Sequence, residues 1–310
     1  MKICIIGCVG HVGQAVSEMK RSPDAEFVGI APGTPAEAAM ALDRFGIPVY
    51  DDYKKMLDEL SPDYAIVSPI FGYTSDIIIE CANRGINVFS EKPVATTLES
   101  LEKLEEAVNK SGIRFSAMHF LRFSPNFYHA AKMVEEGAIG DVKLITAQKS
   151  YRFGTRPEWY WDPKKYGGTI PWVGIHAIDW AYSFSKKNFK SVRALSVGSP
   201  EMYALCQYKM EDDVIASVNL DFLRPKDAPT HGDDRIRVAG SKGVIEVRDK
   251  KFILINEGGV QEFEPTEAPK LAYEFLIGND LLTKEEIFML TKAAIVARDS
   301  AYEGVEKEIN

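Results

Sequence analysis

The run Lys2 to Ile6 passes directly into Gly7-Cys8-Val9-Gly10-His11-Val12-Gly13, and a helical pattern takes over from there to Arg21. A short apolar strand, a glycine turn and a helix in immediate succession leave few folds open, because parallel strands need such crossovers and antiparallel ones do not. The same alternation repeats. Strands are expected at Lys2 to Ile6, Glu26 to Ala31, Tyr64 to Val67, Asn87 to Ser90 and Arg114 to Met118, with helices starting near Val12, Pro35, Asp52, Thr74 and Leu98. The helix near Pro35 carries a start signal, since Thr34 and Glu37 have capping-box spacing and proline is tolerated in a first helical turn.

After Phe120 the pattern changes. A helix from about Pro125 to Glu136 precedes a strand from Val142 to Tyr151. Alternating segments then follow at Ser191 to Val197, Met202 to Lys209, Val214 to Phe222, Arg235 to Ala239, Gly243 to Arg248 and Phe252 to Ile255, and a helix from about Lys284 to Gly304 closes the chain. The expected fold class is α/β. Residues 1–120 form a dinucleotide-binding domain, a Rossmann-type doubly wound parallel sheet. Residues 121–310 form an α+β domain with a large, mostly antiparallel open sheet that serves substrate binding and oligomerisation. At 310 residues, two domains is the natural division.

Charge excludes some partners. With 37 basic against 45 acidic residues the net charge is -8, which leaves no electrostatic footprint for nucleic acid or an anionic membrane. No apolar run is long enough to span a bilayer, and a glycine interrupts Ile3-Cys4-Ile5-Ile6 before a signal-peptide segment would be complete. Cys4, Cys8, Cys81 and Cys206 have neither metal-site nor redox spacing, so they read as thiols in a reducing cytoplasm. His11, His119, His129 and His231 also lack metal spacing, and no metal is assigned.

The glycine turn offers backbone N–H groups and a helix N-terminus to a pyrophosphate, making Gly7, Val9, Gly10, His11 and Val12 cofactor-binding candidates. Its Gly-x-x-Gly-x-x-Gly spacing is one residue longer before the second glycine than the usual fingerprint. NAD-binding folds carry an Asp or Glu at the end of the second strand to hold the ribose hydroxyls. This chain has Ala31-Pro32-Gly33-Thr34 there, with no Arg or Lys close behind. Ala31 and Thr34 are assigned to the cofactor, Thr34 either at a phosphate or as a plain helix cap. The coenzyme, NAD or NADP, stays open.

Chemistry concentrates at two places. Glu91-Lys92-Pro93 follows the strand Asn87 to Ser90, at the carboxyl end of the sheet where ligands of such folds bind. Pro93 restricts Lys92 to extended geometry, and an X-Pro bond can be cis. The second place is Gly167 to Trp180, read as a helix beginning near Pro171 that sets Trp172, His176, Asp179 and Trp180 on neighbouring turns of one face. His176 is either a core histidine or a group that shares a substrate proton with a lysine. Upstream lie Arg152, Arg156, Trp159, Tyr160 and Trp161, a set that suits a sugar carrying a carboxylate or phosphate, or packs a loop.

The glycine turn, Glu91-Lys92-Pro93, Arg122-Phe123-Ser124-Pro125 and the segment Gly168 to Asp179, in this order over nearly the whole chain, resemble the glucose-fructose oxidoreductase / inositol dehydrogenase (Gfo/Idh/MocA) family. The resemblance implies that Lys92 and His176 are the catalytic pair, that Arg122 lies near the substrate, and that Ser68, Pro69 and Glu91 border the nicotinamide ribose. Tyr160, Trp172, His176 and Asp179 join Arg122 as substrate-binding candidates. Three departures stand out. Where the family often has a carboxylate four residues before the histidine, this chain has Trp172; Thr74 replaces a frequent histidine; and Ala31 replaces the ribose-binding acid. Asp179, three residues after His176, is expected to orient that histidine or to make a helix contact rather than to transfer the proton itself.

The expected function is NAD(P)-dependent hydride transfer to or from a carbinol carbon of a sugar, polyol or sugar-acid-like substrate. Lys92 accepts the hydroxyl proton with His176, and burial beside a positive nicotinamide favours the neutral amine. Two other readings stand beside it, since fold does not fix function. One is a non-catalytic ligand- or nucleotide-binding protein. The other is an enzyme that uses bound coenzyme transiently in elimination, hydrolysis or epimerisation. The protein is expected in the cytoplasm as a homodimer or homotetramer built through the second domain's sheet.

Overall fold

The computed structural model describes residues 1–33 and 45–309. The helix expected near Pro35, with Thr34, lies outside the described residues. The chain divides into two compact units. The first comprises Met1–Met118, Lys164–Gly167 and Lys270–Phe288, and the second comprises His119–Pro163, Gly168–Pro269 and Met289–Asn310.

The first unit is built on β1 (Lys2–Ile6), β2 (Glu26–Ala31), β3 (Tyr64–Val67), β4 (Asn87–Ser90) and β5 (Phe115–Ala117), in the order β2-β1-β3-β4-β5. All four pairings are parallel. β1 and β3 are buried almost end to end, as strands covered on both faces must be, which is why they read as unbroken apolar runs. The crossover helix Val12–Met19 buries Val12, Ala15, Val16 and Met19. Helix Tyr53–Leu60 starts where Asp52 accepts a hydrogen bond from the Lys54 N–H, and helix Leu98–Ser111 starts at Thr97 in a capping box with Ser100. Two pieces from later in the sequence complete this core. The short helix Leu271–Leu276 places the Phe275 ring 5.5 Å from Phe89 and 5.9 Å from Tyr64, and the Glu18 carboxylate accepts from the Ala272 N–H at 3.0 Å. Lys164–Gly167 brings Tyr166 against Phe71.

The second unit holds a nine-stranded sheet. Its strands are β6 (Val142–Tyr151), β7 (Phe189–Gly198), β8 (Glu201–Met210), β9 (Ile215–Asp221), β10 (Gly232–Gly240), β11 (Gly243–Arg248), β12 (Lys251–Asn256), β13 (Gly259–Phe263) and β14 (Lys307–Glu308). They run in the order β13-β12-β11-β10-β6-β9-β8-β7-β14, with β6–β9 the one parallel pairing. The central strands alternate. Ile145 and Ala147 of β6, Ala216 and Val218 of β9, and Val192 and Ala194 of β7 point into one core with helices Pro125–Glu135 and Ile175–Ser185 and the later turns of helix Lys284–Glu303. Trp180 stacks on Phe127 at 4.2 Å in its centre.

Candidate functional site

In the first unit the site grows from the end of β1. Gly7 has φ +82°, and a Cβ there would lie 2.3 Å from the Ser68 carbonyl oxygen and 2.5 Å from Pro69, so only glycine lets the turn pass the end of β3. The Val9 N–H donates to Ser68 O at 2.8 Å and the Ser68 hydroxyl donates back to Val9 O. The turn delivers the chain to helix Val12–Met19, whose N-terminus has no side-chain cap. Beside it opens a cavity of about 140 Å³ whose wall includes Gly7, Ala31, Gly33, Tyr53, Pro69 and Tyr73. A backbone cradle that excludes a Cβ, an uncapped helix N-terminus and an aromatic-walled slot together fit the pyrophosphate and adenosine of a dinucleotide.

Glu91 ties this turn to the lysine. It is fully buried at the end of β4, and its carboxylate accepts from the His11 backbone N–H, lies 3.0 Å from His11 Nδ1, and accepts from the Lys92 N–H at 3.0 Å. Burial raises the Glu91 carboxyl, and the neighbouring His11 and Lys92 charges more than reverse that, leaving it below the usual range. Lys92 itself is 1 % exposed, and the Lys92–Pro93 bond is cis. Val9, Gly10, His11, Val12, Ser68, Pro69, Glu91 and Lys92 thus all stand at the carboxyl edge of one parallel sheet.

The second unit carries a buried polar cluster. Asp179, on helix Ile175–Ser185, accepts from Arg122 Nε at 2.7 Å through one oxygen and faces His119 Nδ1 at 3.1 Å with the other. Asp179 and His119 are completely buried and Arg122 nearly so. Burial raises the Asp179 carboxyl, but Arg122 and His119 together hold it below its ordinary value. Asp179 thus meets His119, from a separate segment, rather than His176 as the sequence led one to expect. His176 stands one turn earlier on the same helix, 1 % exposed, with its ring edge-on to that of His119 at 6.5 Å between centroids. His119 Nε2 is buried without a hydrogen-bond partner among the described residues. Arg122 and Asp179 spend their charges on each other, so they hold His119 and the start of the helix in place.

Trp172 lies in a π turn, Ile170–Gly174, that precedes the α-helix. Tyr160 is buried, with the Arg156 guanidinium 5.2 Å from its ring centroid. Sequence reasoning passed over Lys149, which is inward-facing on β6 and 0 % exposed. Its ammonium is 2.6 Å from an Asp234 oxygen and 4.3 Å from the Tyr151 ring centroid; burial lowers its pKa to about 8 in spite of Asp234. Among the described residues no His, Cys, Asp and Glu group could hold a metal ion, and no helix is long and apolar enough to cross a membrane. Burial pushes the Cys81 and Cys206 thiols up to about 12, which makes them unreactive.

A parallel sheet with a glycine turn, followed by a wide mixed sheet with a buried histidine helix, defines the class of two-unit dinucleotide-dependent oxidoreductases. The comparisons name the family. The model of the oxidoreductase family with the NAD-binding Rossmann fold matches residues 1–119, that of the GFO/IDH/MocA C-terminal domain matches residues 127–246, and the chain belongs to the Gfo/Idh/MocA oxidoreductases. A solved putative oxidoreductase from Thermotoga maritima is 37 % identical over the whole of both chains, with a TM-score of 0.95. Inositol 2-dehydrogenase of Salmonella typhimurium is 26 % identical over 171 residues, 54 % of this chain and 49 % of that one. Levoglucosan dehydrogenase, solved in complex with NADH and levoglucosan, shares the fold at a TM-score of 0.86 and 17 % identity, over 100 % of this chain and 99 % of that one. The protein is thus an NAD(P)-dependent oxidoreductase with sugar and polyol dehydrogenases among its relatives.

Proposed function

We propose that the protein oxidises a secondary alcohol of a sugar or polyol-like substrate in the cytosol, with Lys92 accepting the hydroxyl proton and His176 holding and sharing it. The observation that carries this is the Glu91 clasp: one buried carboxylate binds the turn that receives the coenzyme and the backbone of the lysine that meets the substrate. When bound, the nicotinamide supplies the hydride acceptor. A buried amine is kept from water and needs only to be neutral to take a proton, and an imidazole beside the same oxygen stabilises the charge as it moves. Arg122 and Asp179 support this through His119, and Tyr160 and Trp172 offer apolar faces to a carbon ring.

The open face of the nine-stranded sheet fits a second copy of the chain. Leu195, Val197 and Tyr203 lie side by side on β7 and β8, between 43 % and 63 % exposed, which is costly to leave in water.

The test is a panel of polyols, sugars and sugar acids with each coenzyme, followed at the reduced-nicotinamide absorbance. Lys92→Ala should lose turnover by at least about a thousandfold while coenzyme affinity changes by less than about threefold. Turnover that survives in this variant overturns the assignment of the base. Coenzyme that copurifies and is never reduced in net amount would instead identify transient use in elimination, hydrolysis or epimerisation.

A further inference from the structure

The end of β2, where a carboxylate ordinarily grips the adenosine ribose, is Ala31-Pro32-Gly33. The structure puts another acid into the same space. Beyond the described break the chain returns along the outer edge of β2 and in the same direction. The Ile30 N–H donates to Pro48 O at 2.9 Å, the Tyr50 N–H donates to Ile30 O at 2.8 Å, and Val49 bridges Ile30 in parallel. This strand-like segment ends one residue before Asp51, so Asp51 is delivered at the carboxyl edge of the sheet, level with the residues that follow β2. It is exposed, and it lines the cavity of about 140 Å³ together with Ala31, Gly33, Tyr53 and Tyr73.

Its neighbour Asp52 is occupied otherwise, capping helix Tyr53–Leu60 through the Lys54 N–H at 2.8 Å. The surroundings are acidic. Burial and the charges of Glu80, Asp52 and Asp76 push the Tyr53 phenol up. Among the described residues, the cations on the neighbouring helices are committed, Lys54 to Glu80 and Arg84 to Glu80 and Asp58. A 2′-phosphate would bring a charge near -2 beside the exposed Asp51, where among the described residues the nearby cations Lys54 and Arg84 are already paired, whereas a 2′-hydroxyl is a donor that a carboxylate accepts.

We propose that Asp51 takes over the task of the missing β2 acid, reading the 2′-hydroxyl of the adenosine ribose and making this chain selective for NAD over NADP. The inference rests on the assignment of the cavity to the coenzyme. Selectivity comes from both sides, since a hydroxyl gains a partner and a phosphate meets repulsion.

Calorimetric titration of the full chain with NAD+, NADP+, ADP and 2′,5′-ADP tests it without any turnover. The expected result is NAD+ bound at least about thirtyfold more tightly than NADP+, and ADP more tightly than 2′,5′-ADP. In Asp51→Ser, which leaves the Asp52 cap in place, the NAD+ to NADP+ preference should fall by at least about tenfold, through weaker NAD+ and stronger NADP+ binding together. Equal or tighter binding of NADP+ by the unaltered chain overturns the proposal while the coenzyme site stands, and so does an unchanged ratio in Asp51→Ser. Absence of heat with every nucleotide overturns the assignment of the cavity itself.

Discussion

Replacing Asp179 by asparagine removes one negative charge from a site where two other charged or titratable groups depend on it. Arg122 donates to one of its oxygens at 2.7 Å and His119 Nδ1 meets the other at 3.1 Å, with Asp179 fully buried between them. Taking one partner from a buried ion pair typically costs 3–5 kcal/mol, because the remaining charge keeps its desolvation penalty. The asparagine oxygen can still accept from Arg122, which puts the loss near the lower end, about 3 kcal/mol. Its NH2 group then faces His119 Nδ1, donor against donor, and the imidazole must change tautomer. At roughly 2–4 °C per kcal/mol for chains of this size, the melting temperature should fall by about 6–12 °C.

The pH dependence gives a second reading of the same group. The Asp179 carboxyl is held below its ordinary value, so its contribution is complete above the unfolded carboxylate range near pH 4 and is lost as pH falls through the native value. Asp179→Asn cannot titrate, and the gap between the two proteins should therefore narrow below about pH 4. Urea unfolding followed by tryptophan fluorescence from pH 3 to 8 measures both effects. Adding Arg122→Met to Asp179→Asn should restore part of the loss, because the stranded charge has gone. A loss under about 1 kcal/mol at pH 7, or a gap that does not change with pH, would refute the reasoning.

Lys149 makes the opposite test. Its pKa is lowered to about 8 by burial against an unfolded value near 10.4, so the unfolded chain binds the extra proton between those limits and stability should rise with pH from about 8 to 10 by up to roughly 3 kcal/mol. Lys149→Met should abolish that slope, which denaturation midpoints at pH 8 and 10 would reveal. Gly7→Ala places a Cβ 2.3 Å from the Ser68 carbonyl oxygen at a φ of +82°. Calorimetry should show at least about tenfold weaker binding of either coenzyme, with a stability loss of about 1–3 kcal/mol, and normal affinity would show that the turn has another way to open.

The first unit was readable because its strands are short, apolar and bounded by glycine or polar turns; β1 to β4 run between the residues expected from the sequence. β6 was equally plain. β13 was missed because Gly259-Val260-Gln261-Glu262-Phe263 is an edge strand with no fully buried residue and hence no alternation. Helix Leu271–Leu276 was missed because six residues are too few to show a helical period. The helix read from Pro171 begins instead as a π turn, Ile170–Gly174, and the regular α-helix starts only at Ile175, so the α-helical spacing used to group Trp172 with His176 and Asp179 does not hold across the turn. At the site, backbone features declared themselves through glycine and proline. The pairing of Asp179 with His119 did not, since sixty residues separate them and nothing local marks it. Lys149 did leave a signal, a charge at the inward parity of Ile145 and Ala147.

Lys164–Gly167 and Lys270–Phe288 belong to the first unit although both come after the second has begun, and Lys270–Phe288 after most of it. A fragment ending at Met118 would bare Phe89 and Tyr64 where Phe275 packs, and would deprive Arg114 of both Asp280 and the aromatic face 4.7 Å beneath its guanidinium. No single cut can free the nucleotide half with its core intact. During synthesis that half must wait for Lys270–Phe288 before its hydrophobic interior is sealed.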